Sequence, residues 1–233
     1  MENIDEYDPL NIVDRIGADA LRYTLLPSST PGTDMNRAPR RLDGARHAGN
    51  TIWNAARFVV TSLGEPVVDV PFHDLSLEDR WIASRLNALI DEVTDLFDTH
   101  QYCEAGRRIN DFLWSEFCDW YIEACKIRLW SDDIAAKSTA QAMLVSVLER
   151  ALRLLHPYMP FVTEEIWQHL KRAWPGADSL WEESLMICRW PEADTHQIDA
   201  GAVADMDLLM DLIRQIRNCL LYTSDAADDS VLV

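Results

Sequence analysis

The strongest constraint in this sequence is the helical period of its apolar residues from Pro39 onward. Over 39–63, Leu42, Ala45, Ala48, Ile52, Ala55, Ala56, Val59 and Val60 recur at three- and four-residue spacing, which is the pattern of an amphipathic helix. The pattern returns over 77–99 with Trp81, Ile82, Leu86, Leu89, Ile90, Val93 and Leu96. It returns again over 101–130 with Ala105, Ile109, Phe112, Leu113, Phe117, Trp120, Tyr121, Ala124 and Ile127 on one broad stripe. Over 135–155 it is carried by Met143, Leu144, Val147, Leu148, Ala151, Leu152 and Leu155, until Pro157 and Pro160 stop it. A shorter helix is expected over 161–174, and a last one, capped by Asp199, runs to about Asn218. Each such helix must bury its stripe against a neighbour, so the chain is expected to be all-α, a bundle of four or five helices.

The breaks support that division. Residues 9–26 place Pro9 at a helix start, with Gly17 between two short helices. Residues 27–36, PSSTPGTDMN, are turn chemistry throughout and predict an ordered connector. Residues 64–75 carry two prolines and no helical period. Ser76, with Asp79 three residues on, predicts a capping box that uses Asp in place of Glu. Residues 185–190 are the only stretch with strand character. Only 8 Gly and 10 Pro among 233 residues argue against a turn-dense β chain.

The function classes narrow by exclusion. A chain that is 48% hydrophobic with 9 Trp is not disordered. No apolar run approaches the roughly 20 residues of a bilayer span, and the acidic start MENIDEYD is unlike a secretory signal, so no membrane partner and a cytoplasmic location are expected. Cys103, Cys118, Cys125, Cys188 and Cys219 form neither a zinc knuckle nor a disulfide framework; Cys118 and Cys125, seven apart, read as thiols on one helical face. The six histidines are scattered without metal-ligand spacing. There is no phosphate-cradling glycine loop, no nucleophile elbow and no calcium ladder, so no catalytic residue, metal site or cofactor is expected in this chain. Glu164 and Glu165, after the proline pair, read as carboxylates at a helix N-terminus.

A net charge of -18 would ordinarily disfavour nucleic acid, but it is unevenly spread. Residues 1–60 carry a net of -1 and residues 61–218 a net of -14, while residues 35–60, with Arg37, Arg40, Arg41, Arg46 and Arg57 against Asp43, carry +4. Nearly all the positive charge is arginine, the side chain suited to bidentate phosphate contacts.

Five collinear segments carry a family resemblance: DPLNIVDRIGADALRYTLL (8–26), STPGTDMNRAPRRLDGARHAGNTIWNAARFV (29–59), LSLEDRWI (75–82), FLWSEFCDWYIEACK (112–126) and LLHPYMPFVTEEIWQ (154–168). Together they resemble the valyl-tRNA synthetase family, a class I aminoacyl-tRNA synthetase family, over about 210 residues. TIWNAARF (51–58) and GTDMN (32–36) favour valine over isoleucine or leucine types. The resemblance implies that residues 1–36 are the connecting segment after the absent KMSKS loop and that residues 37–218 are the helical anticodon-binding domain. The nucleotide-binding and editing parts of the family, with their ATP and Mg, precede the matched region. The partners implied are tRNA(Val) and the missing catalytic domain of the same chain. A freestanding helical interaction module descended from such a domain is the alternative of different class.

Unpaired anticodon bases are read by stacking and base-edge hydrogen bonds, with arginines positioning the backbone. The candidates are Arg46, Asn50 and Arg57, on one flank of the 39–63 helix, with Arg80 and Trp81 opening the next, where the family has a basic and aromatic pair. Asn50, Trp53, Asn54 and Trp81 are equally readable as packing or capping residues. Residues 219–233 begin CLLYTSDAADD, which, read back into codons, matches a transposase end sequence used as a library adapter, so a non-native tail is expected there.

Overall fold

The Asp8 carboxylate accepts from the Leu10 amide at 2.8 Å, and Pro9 sits in the first turn, where a missing N–H leaves no bond unmade. The helix so started, α1 (Pro9–Ile16), ends at Gly17, whose φ of +91° is one that L side chains rarely adopt, and α2 (Ala18–Leu25) follows directly. The computed structural model describes residues 8–27, 39–64, 71–174 and 181–229. The connector expected over 27–36 lies, from residue 28 on, outside the described residues, as does Arg37.

The long helices follow the apolar periods: α3 (Pro39–Ser62), α4 (Leu77–Asp98), α7 (Ile134–Leu155), α8 (Pro160–Ala173) and α9 (Ala200–Asp229), with α5 (Tyr102–Asp111) and α6 (Ile122–Leu129) between α4 and α7. The fold is all-α, and there is no strand among the described residues. Residues 185–190, expected as a strand, contain a short 3-10 turn, Leu185–Ile187. Ser184 closes that turn by accepting from the Met186 amide, and only Leu185 of its three residues is buried, so the apolar run is a turn that anchors one side chain.

Residues 101–130 are one rod in three parts. Between α5 and α6 the backbone widens into a π-helical stretch, Phe112–Tyr121, with i→i+5 bonding. The wider turn changes which residues face inward: Phe112, Leu113, Phe117 and Tyr121 are buried, Trp114 and Trp120 lie at the margin, and Ile127 is 77% exposed. Cys118 and Cys125 both meet the core, Cys125 buried within it and Cys118 partly buried against it. Helix α7 runs through the middle of the bundle, with Leu144, Val145, Val147, Leu148, Ala151, Leu152, Leu154 and Leu155 all buried.

Polar groups fix how the elements meet. Ser76 caps α4 by accepting from the Asp79 amide at 3.4 Å, but the Asp79 carboxylate does not return the bond. It is fully buried, receives both terminal nitrogens of Arg128 at 2.6 Å and accepts from the Tyr121 hydroxyl at 2.6 Å. Along α4, four side chains one turn or two apart tether the 190–199 segment. Arg80 pairs with Asp199 at 2.9 Å, the Ser84 hydroxyl accepts from the Asp199 amide at 2.8 Å, Asn87 accepts from the Asp194 amide at 2.8 Å, and Thr94 accepts from the Trp190 indole at 2.9 Å. Asp199 also caps α9 through the Ala202 amide, as expected. That helix continues past Asn218 to Asp229.

The α1–α2 pair is seated on the bundle by two side chains one turn apart. Asp19 accepts from the Phe161 and Val162 amides at 3.2 and 2.6 Å, capping α8 from another helix, and Arg22 donates to the Pro157 carbonyl at 2.8 Å. The α8 N-terminus is thus occupied by Asp19, and Glu164 turns instead to Gln168, Ser184 and the Leu185 amide. Pro27 comes so close to α5 that a Cβ on Gly106 would lie 2.9 Å from its ring, which requires glycine there.

Candidate nucleic-acid interface

Helix α3 is built on small residues. Ala45, Ala48, Ala55 and Ala56 are buried with Leu42, Ile52 and Val59, so its inner face lies close against α2, α7 and α8. The outer flank is defined by the same period. Arg46, Asn50, Trp53 and Arg57 are spaced by four, three and four residues and share one stripe about 16 Å long. All four are classed as exposed, Trp53 at 36%.

Two cavities lie along this stripe, and Trp53 borders both. A groove of about 580 Å³ runs between the α1–α2 junction, α3 and the start of α8, with Arg46, Asn50 and Trp53 on one wall and Asp19 and Phe161 on the other. A slot of about 170 Å³ lies between α3 and α8, with Ala56, Val60 and Ile166 inside it and Trp53, Arg57 and His169 at its edges. The Trp53 and His169 rings meet edge to face at 5.6 Å.

The charge on this face is unspent. Many other arginines are engaged: Arg85 with Glu116 through two bonds, Arg108 with Glu92 and Glu104, Arg153 with Glu149, Arg128 with Asp79. Among the described residues, Arg46 and Arg57 have neither an ion pair nor a side-chain hydrogen bond. A guanidinium left in solvent beside an exposed indole can bind phosphate and stack on a base.

The structure separates the five candidates into two groups. Arg46, Asn50 and Arg57 come together on α3. Arg80 is half-buried and committed to Asp199, and Trp81, at 1% exposure, is a core residue with no face to offer a base. Their adjacency at the start of α4 is a packing feature: Trp81 fills the bundle while Arg80 ties α4 to α9. Trp53 and His169, which were not among the candidates, lie on the same face. The signal for Trp53 was its spacing, seven after Arg46 and four before Arg57; His169 joins only through the packing of α8 on α3, which no local pattern reveals. The side chains of Arg40 and Arg41 are outside the described residues.

No group of three His, Cys, Asp or Glu side chains gathers into a metal site among the described residues, and no helix there is long and apolar enough to cross a membrane.

Known proteins are similar to this chain over most of its length. The family model for the anticodon-binding domain of tRNA ligase matches residues 79–232. The chain is 42% identical over 213 residues to a valine–tRNA ligase of Bacillus licheniformis, and 43% identical over 211 residues to one of Dehalococcoides mccartyi. In each case the match covers 91% of this chain and 23% of the relative, so the chain spans about a quarter of the length of these relatives. Among solved structures it is similar to the ternary complex of Agrobacterium radiobacter LeuRS with tRNA and LeuAMS, with a TM-score of 0.62 at 21% identity, over 83% of this chain and 22% of that one. The free-state methionyl-tRNA synthetase of Mycobacterium tuberculosis matches with a TM-score of 0.55 at 20% identity, over 70% of this chain and 34% of that one. At such identities the structural likeness shows the helical fold alone.

Proposed function

This chain belongs to the anticodon-binding domain family of tRNA ligases, and on that footing we propose that it is the part of a valine–tRNA ligase that holds the anticodon arm of tRNA(Val). The observation that carries the reading is the α3 stripe, where two unpaired arginines stand about 16 Å apart on either side of an exposed indole and an exposed amide. Arg46 and Arg57 would hold phosphates, Asn50 would offer its amide to a base edge or ribose, and Trp53 would stack. The parent enzyme would attach valine to tRNA(Val) in the cytoplasm. ATP and Mg would act in its catalytic part, the further partner of this chain, and none of the residues described here is assigned to hold them.

Acidic side chains dominate residues 61–218, which supports the same division of labour. RNA would be repelled from most of the bundle and admitted at the α3 flank, where Arg46 and Arg57 stand unpaired. The test is the salt dependence of binding to the tRNA(Val) anticodon stem-loop, followed by fluorescence anisotropy. Replacing Arg46 and Arg57 together by alanine should weaken binding and lower the slope of log K against log salt by about two. An unchanged slope would remove the two arginines from the interface.

A further inference from the structure

We propose that the slot between α3 and α8 takes one unstacked pyrimidine base of the bound RNA; the inference rests on the RNA-binding reading above and names what this face recognises. A cavity of about 150 Å³ with apolar walls holds one benzene ring. The slot, at about 170 Å³, therefore has room for a single six-membered ring, and the second ring of a purine would overhang it. Its floor is apolar, formed by Ala56 and Ile166, 3% and 1% exposed, with Val60 alongside. The floor is deep because residue 56 is alanine; a larger side chain there would fill it.

The rim supplies what a base requires. The Trp53 and His169 planes stand 78° apart and form a corner, so a ring entering the slot stacks on one and meets the edge of the other. Glu165, at 3.2 Å from His169 Nε2, holds the imidazole in that position. Arg57 lies at the mouth with its guanidinium unpaired, placed for the phosphate of the same nucleotide, and Arg46 is available further along the strand. An apolar floor, aromatic sides and a cation at the opening describe a site for a flipped-out base, in which stacking supplies the binding energy and the arginine fixes the backbone.

The experiment uses the 233-residue chain and a fluorescein-labelled tRNA(Val) anticodon stem-loop, with each unpaired loop nucleotide replaced in turn by an abasic site. The unmodified chain should lose roughly ten-fold in affinity at one pyrimidine position. Trp53→Ala and His169→Ala, both at solvent-accessible rings and checked for unchanged helicity by circular dichroism, should each bind the intact loop more weakly and no longer distinguish it from that abasic loop. Binding of the intact loop with equal abasic sensitivity in the wild type and both variants overturns the slot and leaves the RNA-binding reading standing. Sensitivity confined to a purine position overturns the single-ring fit. Absence of binding by the unmodified chain overturns the RNA-binding reading and the slot with it.

Discussion

Asp79 shows what a single residue can hide. From Ser76 and the spacing of three it reads as half of a capping box, and the backbone half of that reading is correct. Its carboxylate, however, is fully buried between Arg128, 49 positions away, and Tyr121, 42 positions away. Burial first, then the charge of Asp79, pushes the Tyr121 hydroxyl pKa well above its usual value, so that hydroxyl remains a donor to the carboxylate. Asp79→Ala would leave the Arg128 guanidinium with only Glu78, 3.2 Å from its Nε, and the buried Tyr121 hydroxyl without its acceptor. The expected cost is about 3–5 kcal/mol, measured by urea unfolding. Replacing Glu104, whose partners Arg107 and Arg108 are exposed, should cost under about 1 kcal/mol. No periodicity distinguishes these two acids. The same limit explains Trp53 and Trp81, which are alike as letters and lie on an outer flank and an inner face respectively.

At the scale of elements, most boundaries were legible because caps and breakers are local. Ser76 and Asp199 each cap the helix that follows them, and Gly17 divides α1 from α2. What was not legible depends on distant partners: the 3-10 turn at Leu185–Ile187 exists because Glu164 of α8 accepts from Ser184 and the Leu185 amide at 2.9 Å. Burial raises the Glu164 pKa, but hydrogen bonds from Gln168, Ser184 and Leu185 outweigh it, and the net direction is downward from 4.5. Because the folded-state pKa is lower than the unfolded one, this carboxylate stabilises the fold above pH 4.5 and loses that contribution as pH falls through the folded value. Glu164→Gln should therefore cost on the order of 1 kcal/mol at neutral pH. The difference from wild type in urea midpoints should narrow as pH falls below 4.5. A second element-level expectation concerns the end of α4, where His100 adopts a φ of +60°, the conformation glycine usually supplies at a helix C-terminus. The His100→Gly variant should be more stable by up to about 1 kcal/mol, seen as a higher thermal midpoint.

Across the whole molecule, the acidic charge, the helical fold and the basic 35–60 segment were plain from composition and period, but which of the other arginines are neutralised was not, since that depends on the acids that other helices bring to them. The outer part of α9 carries Leu212 and Ile216 in solvent, and its buried positions among the described side chains, Ala202, Met206 and Met210, all come earlier. Residues 219–233, the expected foreign tail, follow that exposed stretch. Ending the chain at Asn218 should change unfolding free energy by less than about 0.5 kcal/mol and leave stem-loop affinity as it was. A larger loss in either measurement would show that the segment belongs to the fold.

The π-helical stretch gives the α5–α6 rod a reserve of length. Removing one residue from α7 would rotate everything after the cut by about 100° and turn its apolar stripe away from the core. A one-residue deletion within Phe112–Tyr121 can instead be absorbed as the wide turns tighten to α-helical ones, keeping Arg128 in phase with Asp79. Homologous chains that differ by one residue in this rod are therefore expected to differ here, and the Phe112–Tyr121 stretch becomes the place where an alignment gap has a structural meaning.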